Sequence, residues 1–230
     1  MIRADLHIHS CLSPCGDDRM TPADLVGLSL LNGLDVIALT DHNSCKNCPA
    51  AAAAAQAYGI GFIPGAEVST SEDIHCVCLF PALEAAMDFD AALEAHLPPI
   101  RNRPEIFGNQ LIVGLDGACT EYPNLLISGT DLSILDLPAF AASFGGICYP
   151  AHVDRPANGL FAILGAWPAE LSVPAAEIRF CDPGGLPAGI HLLQGSDAHR
   201  PEDLPEDGFP TPLPTPDFSG ILHYLGMGLL

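Results

Sequence analysis

Apolar and polar positions divide the first half of the chain into alternating extended and helical stretches. Residues 2–9 read as a strand, and its period of two puts Asp5, His7 and His9 on one face. From Pro22 to Leu31 the apolar residues recur at helical spacing after Thr21, an N-cap with proline in the first turn, and Gly33 ends the pattern. Val36 to Leu39 is a short continuous apolar run, the pattern of a strand buried on both faces, and it leads into Thr40-Asp41-His42. The alanine run from Ala50 to Ala55 predicts a packed helix, since alanine is the best helix former. Ile60–Ile63 and Ile74–Phe80 are further strands, the first leading into Gly65-Ala66-Glu67. This rhythm predicts an α/β fold with right-handed crossovers.

Residues 85–135 break the rhythm. Helical spacing over Asp90–Leu97, a strand at Leu111–Leu115 and another at Leu125–Ser128 make this an elaboration within one domain spanning 1–230. Leu137–Phe144 resumes as a helix, and residues 145–152 form a strand ending on His152. Residues 201–216, rich in proline and acids, predict an irregular surface loop.

An apolar fraction of 49% and a mean hydropathy of +0.30 fit a globular, sheet-rich interior. The longest apolar runs are broken by Gly, Pro or charge, and the first residues lack a secretory core, so no membrane span and a cytoplasmic location are expected. The 28 acids against 8 Lys plus Arg give a net charge of −20, which repels phosphate backbones and excludes stable duplex binding as an expectation. Nine cysteines, an odd number, read as thiols or ligands rather than a disulfide framework.

Metal-binding residue types then recur at predicted strand ends: His7, His9, His42, Glu67, His75, His152, Asp197 and His199. Six of the nine histidines stand in these positions, and strand ends converge on one face of barrel-like α/β folds. Neutral imidazole with carboxylate suits zinc, manganese or iron better than calcium. Asp5 would orient one of the imidazoles.

Five segments carry a family resemblance: Asp-Leu-His-Ile-His at 5–9, Thr-Asp-His at 40–42, Pro-Gly-Ala-Glu at 64–67, Ala-His at 151–152 and Ser-Asp-Ala-His at 196–199. In this order they resemble the PHP family, named for bacterial polymerases and histidinol phosphatase. The resemblance implies a distorted (β/α)7 TIM-like barrel with its site at the C-terminal strand ends and two or three divalent metal ions. It also implies hydrolysis of phosphoesters by a metal-bridging hydroxide. Carried over by motif, His7, His9, Glu67 and Asp197 hold a first metal. Glu67 bridges to a second with His75 and His152. A third takes His42, His199 and a residue of the loop after the His-x-His pair, where Asp17 is the first choice and Asp18 the alternative. Asp197 or His199 would assist the leaving group.

Lys46, Arg155 and Arg200 each lie within four residues of a metal motif and form a candidate phosphate clamp, Arg155 foremost because a guanidinium fork matches phosphate oxygens. Arg19, Arg101 and Arg103 read as surface residues, and His96, His191 and His223 as structural or exposed. Cys11, Cys15, Cys45 and Cys48 follow metal motifs and are a rival thiolate site; Cys76, Cys78, Cys119, Cys148 and Cys181 read as core. The expected function is phosphomonoester hydrolysis on a small phosphorylated metabolite or nucleotide. The alternatives are a 3′–5′ exonuclease or nucleotide phosphodiesterase with the same metals, and a non-catalytic metal- or redox-binding module.

Overall fold

The computed structural model describes residues 1–227. In chain order its strands are β1 (Ile2–Ile8), β2 (Val36–Leu39), β3 (Gly61–Ser69), β4 (His75–Leu79), β5 (Leu111–Val113), β6 (Cys119–Glu121), β7 (Ile147–Pro150), β8 (Ala175–Ile178), β9 (His191–Gln194) and β10 (Phe209–Thr211). Its helices are α1 (Pro22–Leu31), α2 (Cys48–Tyr58), α3 (Leu83–Leu93), α4 (Pro104–Phe107), α5 (Leu137–Ala142), α6 (Leu160–Leu164) and α7 (Phe218–Tyr224).

Six strands form one sheet in the order β10-β1-β2-β3-β4-β7, with β1, β2 and β3 mutually parallel. β4 follows β3 as an antiparallel neighbour without an intervening helix, and β7 pairs antiparallel to β4. The parallel pair β8–β9 spans the gap between the ends of this curled sheet. On one side the Val153 amide donates to the Glu177 carbonyl at 2.8 Å. On the other, the Asp197 amide donates to the His7 carbonyl and the His9 amide to the Ala198 carbonyl, each at 2.9 Å. The result is the expected TIM-like curvature, distorted by an antiparallel strand where a regular repeat would place a helix.

Helix α1 starts as predicted. Thr21 Oγ1 accepts from the Asp24 amide at 3.3 Å, Pro22 occupies the first turn, and the helix ends before Gly33. The alanine run lies within α2, whose Ala51 and Ala55 are buried, and left-handed Gly59 closes it. One core lies beneath the helices, with Leu25, Val26, Ile37, Leu39, Phe80 and Phe89 fully buried. A second core, with Leu6, Val36, Ile63, Val77, Tyr149 and Ile221, joins the sheet to α7.

Several expectations shift. The 85–135 segment begins helically at Leu83, earlier than the spacing suggested, and its strands shorten to the hairpin β5–β6; Leu125–Ser128 is not a strand. The Leu111 amide donates to the Cys11 carbonyl at 2.9 Å, and Asn47 bonds the backbone of both Leu111 and Val113. This segment is therefore tied to the loops that follow β1 and β2. Residues 201–216 are not wholly irregular, because Phe209–Thr211 adds β10 antiparallel to β1. Proline is tolerated there because β10 is an edge strand.

Candidate metal centre and cavity

β1 delivers two imidazoles into a space sealed from water. His7, His9, Glu67 and His152 are fully buried, and His42, His75, Asp197 and His199 stand between them and a cavity of about 690 Å3. His42 and Asp197 follow β2 and β9. Glu67 sits near the end of β3, which runs past β2 so that the Glu67 amide donates to the Thr40 and Asp41 carbonyls. His75 starts its strand instead of ending one. It reaches the site because β4 is antiparallel, which pairs His75 with Ser69 at the end of β3.

The imidazoles converge on the two carboxylates. Glu67 Oε1 lies 3.0 Å from both His75 Nδ1 and His152 Nε2, and 3.2 Å from His7 Nε2. Glu67 Oε2 lies 3.0 Å from His42 Nδ1 and 3.4 Å from His9 Nε2. Asp197 Oδ1 lies 3.3 Å from His9 Nε2 and 3.6 Å from His7 Nε2. Three groups of donor atoms are each close enough to share an ion: His7, His9, Glu67 and Asp197; His42, Glu67 and His75; and His9, His42 and His199.

Neighbouring groups fix which nitrogen is free. His7 Nδ1 lies 3.0 Å from both carboxylate oxygens of Glu177, so it carries the proton and leaves the Nε2 lone pair facing the cluster. Ser13 Oγ donates to Asp41 Oδ1 at 2.7 Å, which leaves it to accept from His9 Nδ1 at 2.9 Å and frees His9 Nε2. His199 Nδ1 donates to the Asp197 carbonyl at 2.8 Å with the same consequence. His7 Nε2 and His9 Nε2 lie 3.2 Å apart, close enough to share one proton or one cation.

Two buried oxygens, Glu67 Oε2 and Asp197 Oδ1, have no hydrogen-bond partner. Such orphans cost about 1–3 kcal/mol or more when charged, unless something else binds them. Donors of mixed imidazole and carboxylate type with orphaned oxygens fit divalent metal ions. His152 and Asp197 also adopt left-handed backbone angles, with φ of 29° and 51°. For non-glycine residues this strain costs on the order of 1–3 kcal/mol each and concentrates at functional sites.

The electrostatics are those of a mutually stabilised cluster. Burial would raise the Glu67 carboxyl, but His75, His7 and His42 around it hold it well below its ordinary range. Burial would lower His7, but the Glu177 and Glu67 carboxylates overcome it and raise it well above the usual value, so a cation binding at Nε2 displaces a proton there. His9 lies well below, through burial and the neighbouring His199 and His42.

The structure corrects several sequence expectations. Asp17 does not face the cluster: its carboxylate pairs with Arg19 at 2.7 Å and belongs to none of the donor groups. Asp18 accepts from Asn109 Nδ2 instead. The residue of that loop lining the cavity is Cys15, an exposed thiol. Lys46 binds Asp90 and Glu94, away from the cavity, because the buried Asp90 carboxylate needs a counter-charge.

The proposed thiolate quartet does not assemble. Cys45 and Cys48 are buried with their thiols directed at the Gly65 carbonyl, and Cys11 points at the Leu111 carbonyl. Cys119 and Cys181 are exposed rather than core. Asp5 orients no ring; it accepts from the His7 and Ser196 amides, and burial raises its carboxyl to about 6.

Two functional features escaped the sequence. Glu177, fully buried on β8, supplies the bond to His7 that Asp5 was expected to make, and also accepts from the His152 amide at 3.2 Å. A lone acid in the apolar run Ala175-Ala176-Glu177-Ile178 was the available signal. The second is Arg179, which lines the cavity with Arg155 and Arg200. Arg155 Nη1 donates to Asp197 Oδ2, whereas Arg179 and Arg200 form no ion pair among the described residues.

Comparison with known proteins agrees with this geometry. The PHP domain family matches residues 5–127. A 3′,5′-nucleoside bisphosphate phosphatase of Chromobacterium violaceum is 39% identical over 77 residues, 34% of this chain and 26% of that protein. A 5′-3′ exoribonuclease of Haemophilus influenzae is 38% identical over 78 residues, 33% of this chain and 27% of that one. The chain thus spans about a quarter of the length of these curated relatives. The lesion-specific endonuclease Q of Pyrococcus furiosus shares the fold, with a TM-score of 0.66 at 20% identity over 99% of this chain and 56% of its own. Endonuclease Q in complex with a 27-mer duplex bearing an abasic lesion superposes with a TM-score of 0.67 at 19% identity, over 99% of this chain and 57% of the other. With more than half of its length matched in sequence and its histidine and carboxylate motifs gathered into one centre, this chain belongs to the PHP domain family.

Proposed function

We propose that this chain is a metal-dependent phosphoesterase that hydrolyses a phosphomonoester of a small phosphorylated metabolite or nucleotide. The observation that carries the reading is the convergence of proton-fixed imidazoles and two unpartnered carboxylate oxygens beside a cavity holding three arginines. His7, His9, Glu67 and Asp197 would hold one ion, and Glu67 with His75, His152 and His42 a second. Alternatively, His42 would join His199 in holding a third. Zinc, manganese and iron suit these donors. Such ions supply Lewis acidity and water of depressed pKa for attack on phosphorus.

The protein's own groups do the rest. Arg155, whose Nη1 donates to Asp197 Oδ2, lines the cavity beside the cluster and would bind a phosphate oxygen there. Arg200 adds a second positive charge to the same cavity. In a two-ion centre His199, half-buried with Nδ1 tied to the Asp197 carbonyl, would keep Nε2 free for moving a proton to the departing alkoxide. A non-catalytic module fits less well, since a closed structural site needs four ligands and no open cavity.

The relative named as an exoribonuclease favours a second reading, exonuclease or phosphodiesterase action on a nucleotide end with the same residues. The net charge of −20 favours a short substrate over a gripped duplex. Phosphate release by protein loaded with Mn2+ or Zn2+, assayed on nucleoside monophosphates and on single-stranded oligonucleotides across a salt series, separates the two. Glu67→Gln should lose metal and turnover together. Retained turnover in that variant would remove the bridging role.

A further inference from the structure

We propose that Arg179 and Phe180 form a ledge that binds the nucleoside part of the substrate, making the substrate class nucleotides rather than phosphorylated sugars or alcohols. The inference rests on the phosphoesterase reading for the phosphate end and on separate observations for the rest.

The ledge is built, not incidental. Asp154, two residues beyond His152, accepts from the Arg179 amide with Oδ1 at 2.9 Å, and from the Phe180 and Cys181 amides with Oδ2 at 2.7 and 3.0 Å. One carboxylate therefore fixes three consecutive backbone N–H groups relative to the metal centre. The side chains so placed are anomalous. Phe180 is 72% exposed, a large apolar ring held in water at the cavity wall. The Arg179 guanidinium lies over that ring, 6.0 Å from its centroid, with Nη1 buried and lacking any hydrogen-bond partner.

The ledge also divides space. Arg179 and Phe180 line the cavity beside the metal centre and a second, smaller one of about 260 Å3, walled by Pro205, Phe209, Gly195 and Ser196. Asp203 lines both and makes no ion pair among the described residues. A ligand with its phosphate beside Arg155 and Arg200 would lay a flat group on Phe180. It would offer hydroxyl or amine hydrogens to Asp203 and a second anion to Arg179. A nucleoside carrying two phosphates has all of these; a sugar phosphate lacks the flat ring. Base stacking on an aromatic side chain changes affinity by roughly 5- to 150-fold.

The test measures binding apart from turnover, using methylene phosphonate isosteres of adenosine 5′-phosphate and ribose 5-phosphate, whose C–P bond does not hydrolyse, titrated into Mn2+-loaded protein. The adenosine compound should bind about tenfold tighter than the ribose compound. Phe180→Ala should erase that preference without weakening the ribose compound, and Phe180→Tyr should keep it. Arg179→Ala should cost about tenfold only for an adenosine phosphonate that also carries a 3′-phosphate. Equal affinities in the parent protein, or a preference unmoved by Phe180→Ala, would overturn the ledge even if ribose 5-phosphate is hydrolysed. A Phe180-dependent preference with no ester hydrolysed would uphold the ledge while the phosphoesterase reading fails.

Discussion

Replacing Glu177 with glutamine removes one charge and leaves the shape almost unchanged, so it isolates what this carboxylate does. Its two oxygens lie 3.0 Å from His7 Nδ1, and Oε1 also accepts from the His152 amide. A glutamine oxygen in the Oε1 position can serve both donors, but its NH2 then replaces Oε2 beside His7 Nδ1 and sets donor against donor there. If the ring yields, His7 moves its proton to Nε2 and loses the lone pair that faces Glu67 and Asp197. No larger residue can relieve the conflict from behind, because even a Cβ added at Gly195 would sit 2.5 Å from Glu177 Oε2 and 2.6 Å from His7 Cβ. Partners of metal-ligating histidines typically account for 10- to 100-fold in metal affinity, about 1.4–2.7 kcal/mol. Chelator competition for Zn2+ at pH 7.5 reads this directly, with melting of the metal-stripped protein as the control for folding. Asp5→Asn is the matched comparison, equally buried but bonded only to backbone amides, and should leave affinity within threefold. A Glu177→Gln variant that also stays within threefold would refute the assignment of the His7 proton.

Other consequences follow from the same contacts. Arg155→Ala should raise KM for phosphate esters about tenfold or more while metal content stays normal, as steady-state kinetics beside elemental analysis would establish. Asp17→Ala should leave metal content unchanged, since that carboxylate is engaged by Arg19; loss of one ion per chain would restore it as a ligand. Lys46→Met strands the buried Asp90 carboxylate and should lower stability by roughly 3 kcal/mol in urea titrations, with metal content intact. Asp217 caps α7 by accepting from the Gly220 amide, and the Ser219 hydroxyl and that amide hold its carboxyl below the ordinary value. Its removal as Asp217→Ala should cost about 1 kcal/mol near neutral pH. Because the folded pKa is the lower one, that difference is present above the unfolded carboxylate value and disappears as pH falls through the folded one.

The legible parts of this protein are those where residue type and local period carry the information. His7 and His9 share a strand, and Glu67, His152, Asp197 and His199 end apolar runs, so their chemistry and their convergence were both visible. His75 was visible as a donor, but the antiparallel direction of β4 that brings it in was not. Glu177 and Asp154 were hidden because their work is done on groups far along the chain, and one acid among 28 carries no mark of its partner. The clamp was misread at Lys46 because closeness in sequence to a motif is not closeness in space. Asp90, 44 residues on, claims that ammonium group. β10 was missed because its pairing with β1, not its own proline-containing sequence, makes it a strand.

A multinuclear centre is tested most directly by a count of metal atoms per chain, by elemental analysis of protein purified without chelator and reconstituted with Mn2+, Zn2+ or Fe2+. Two or three atoms per chain, falling in Glu67→Gln, is the predicted result. One atom or none after reconstitution would contradict a multinuclear centre at these histidines, and the proposed hydrolysis with it.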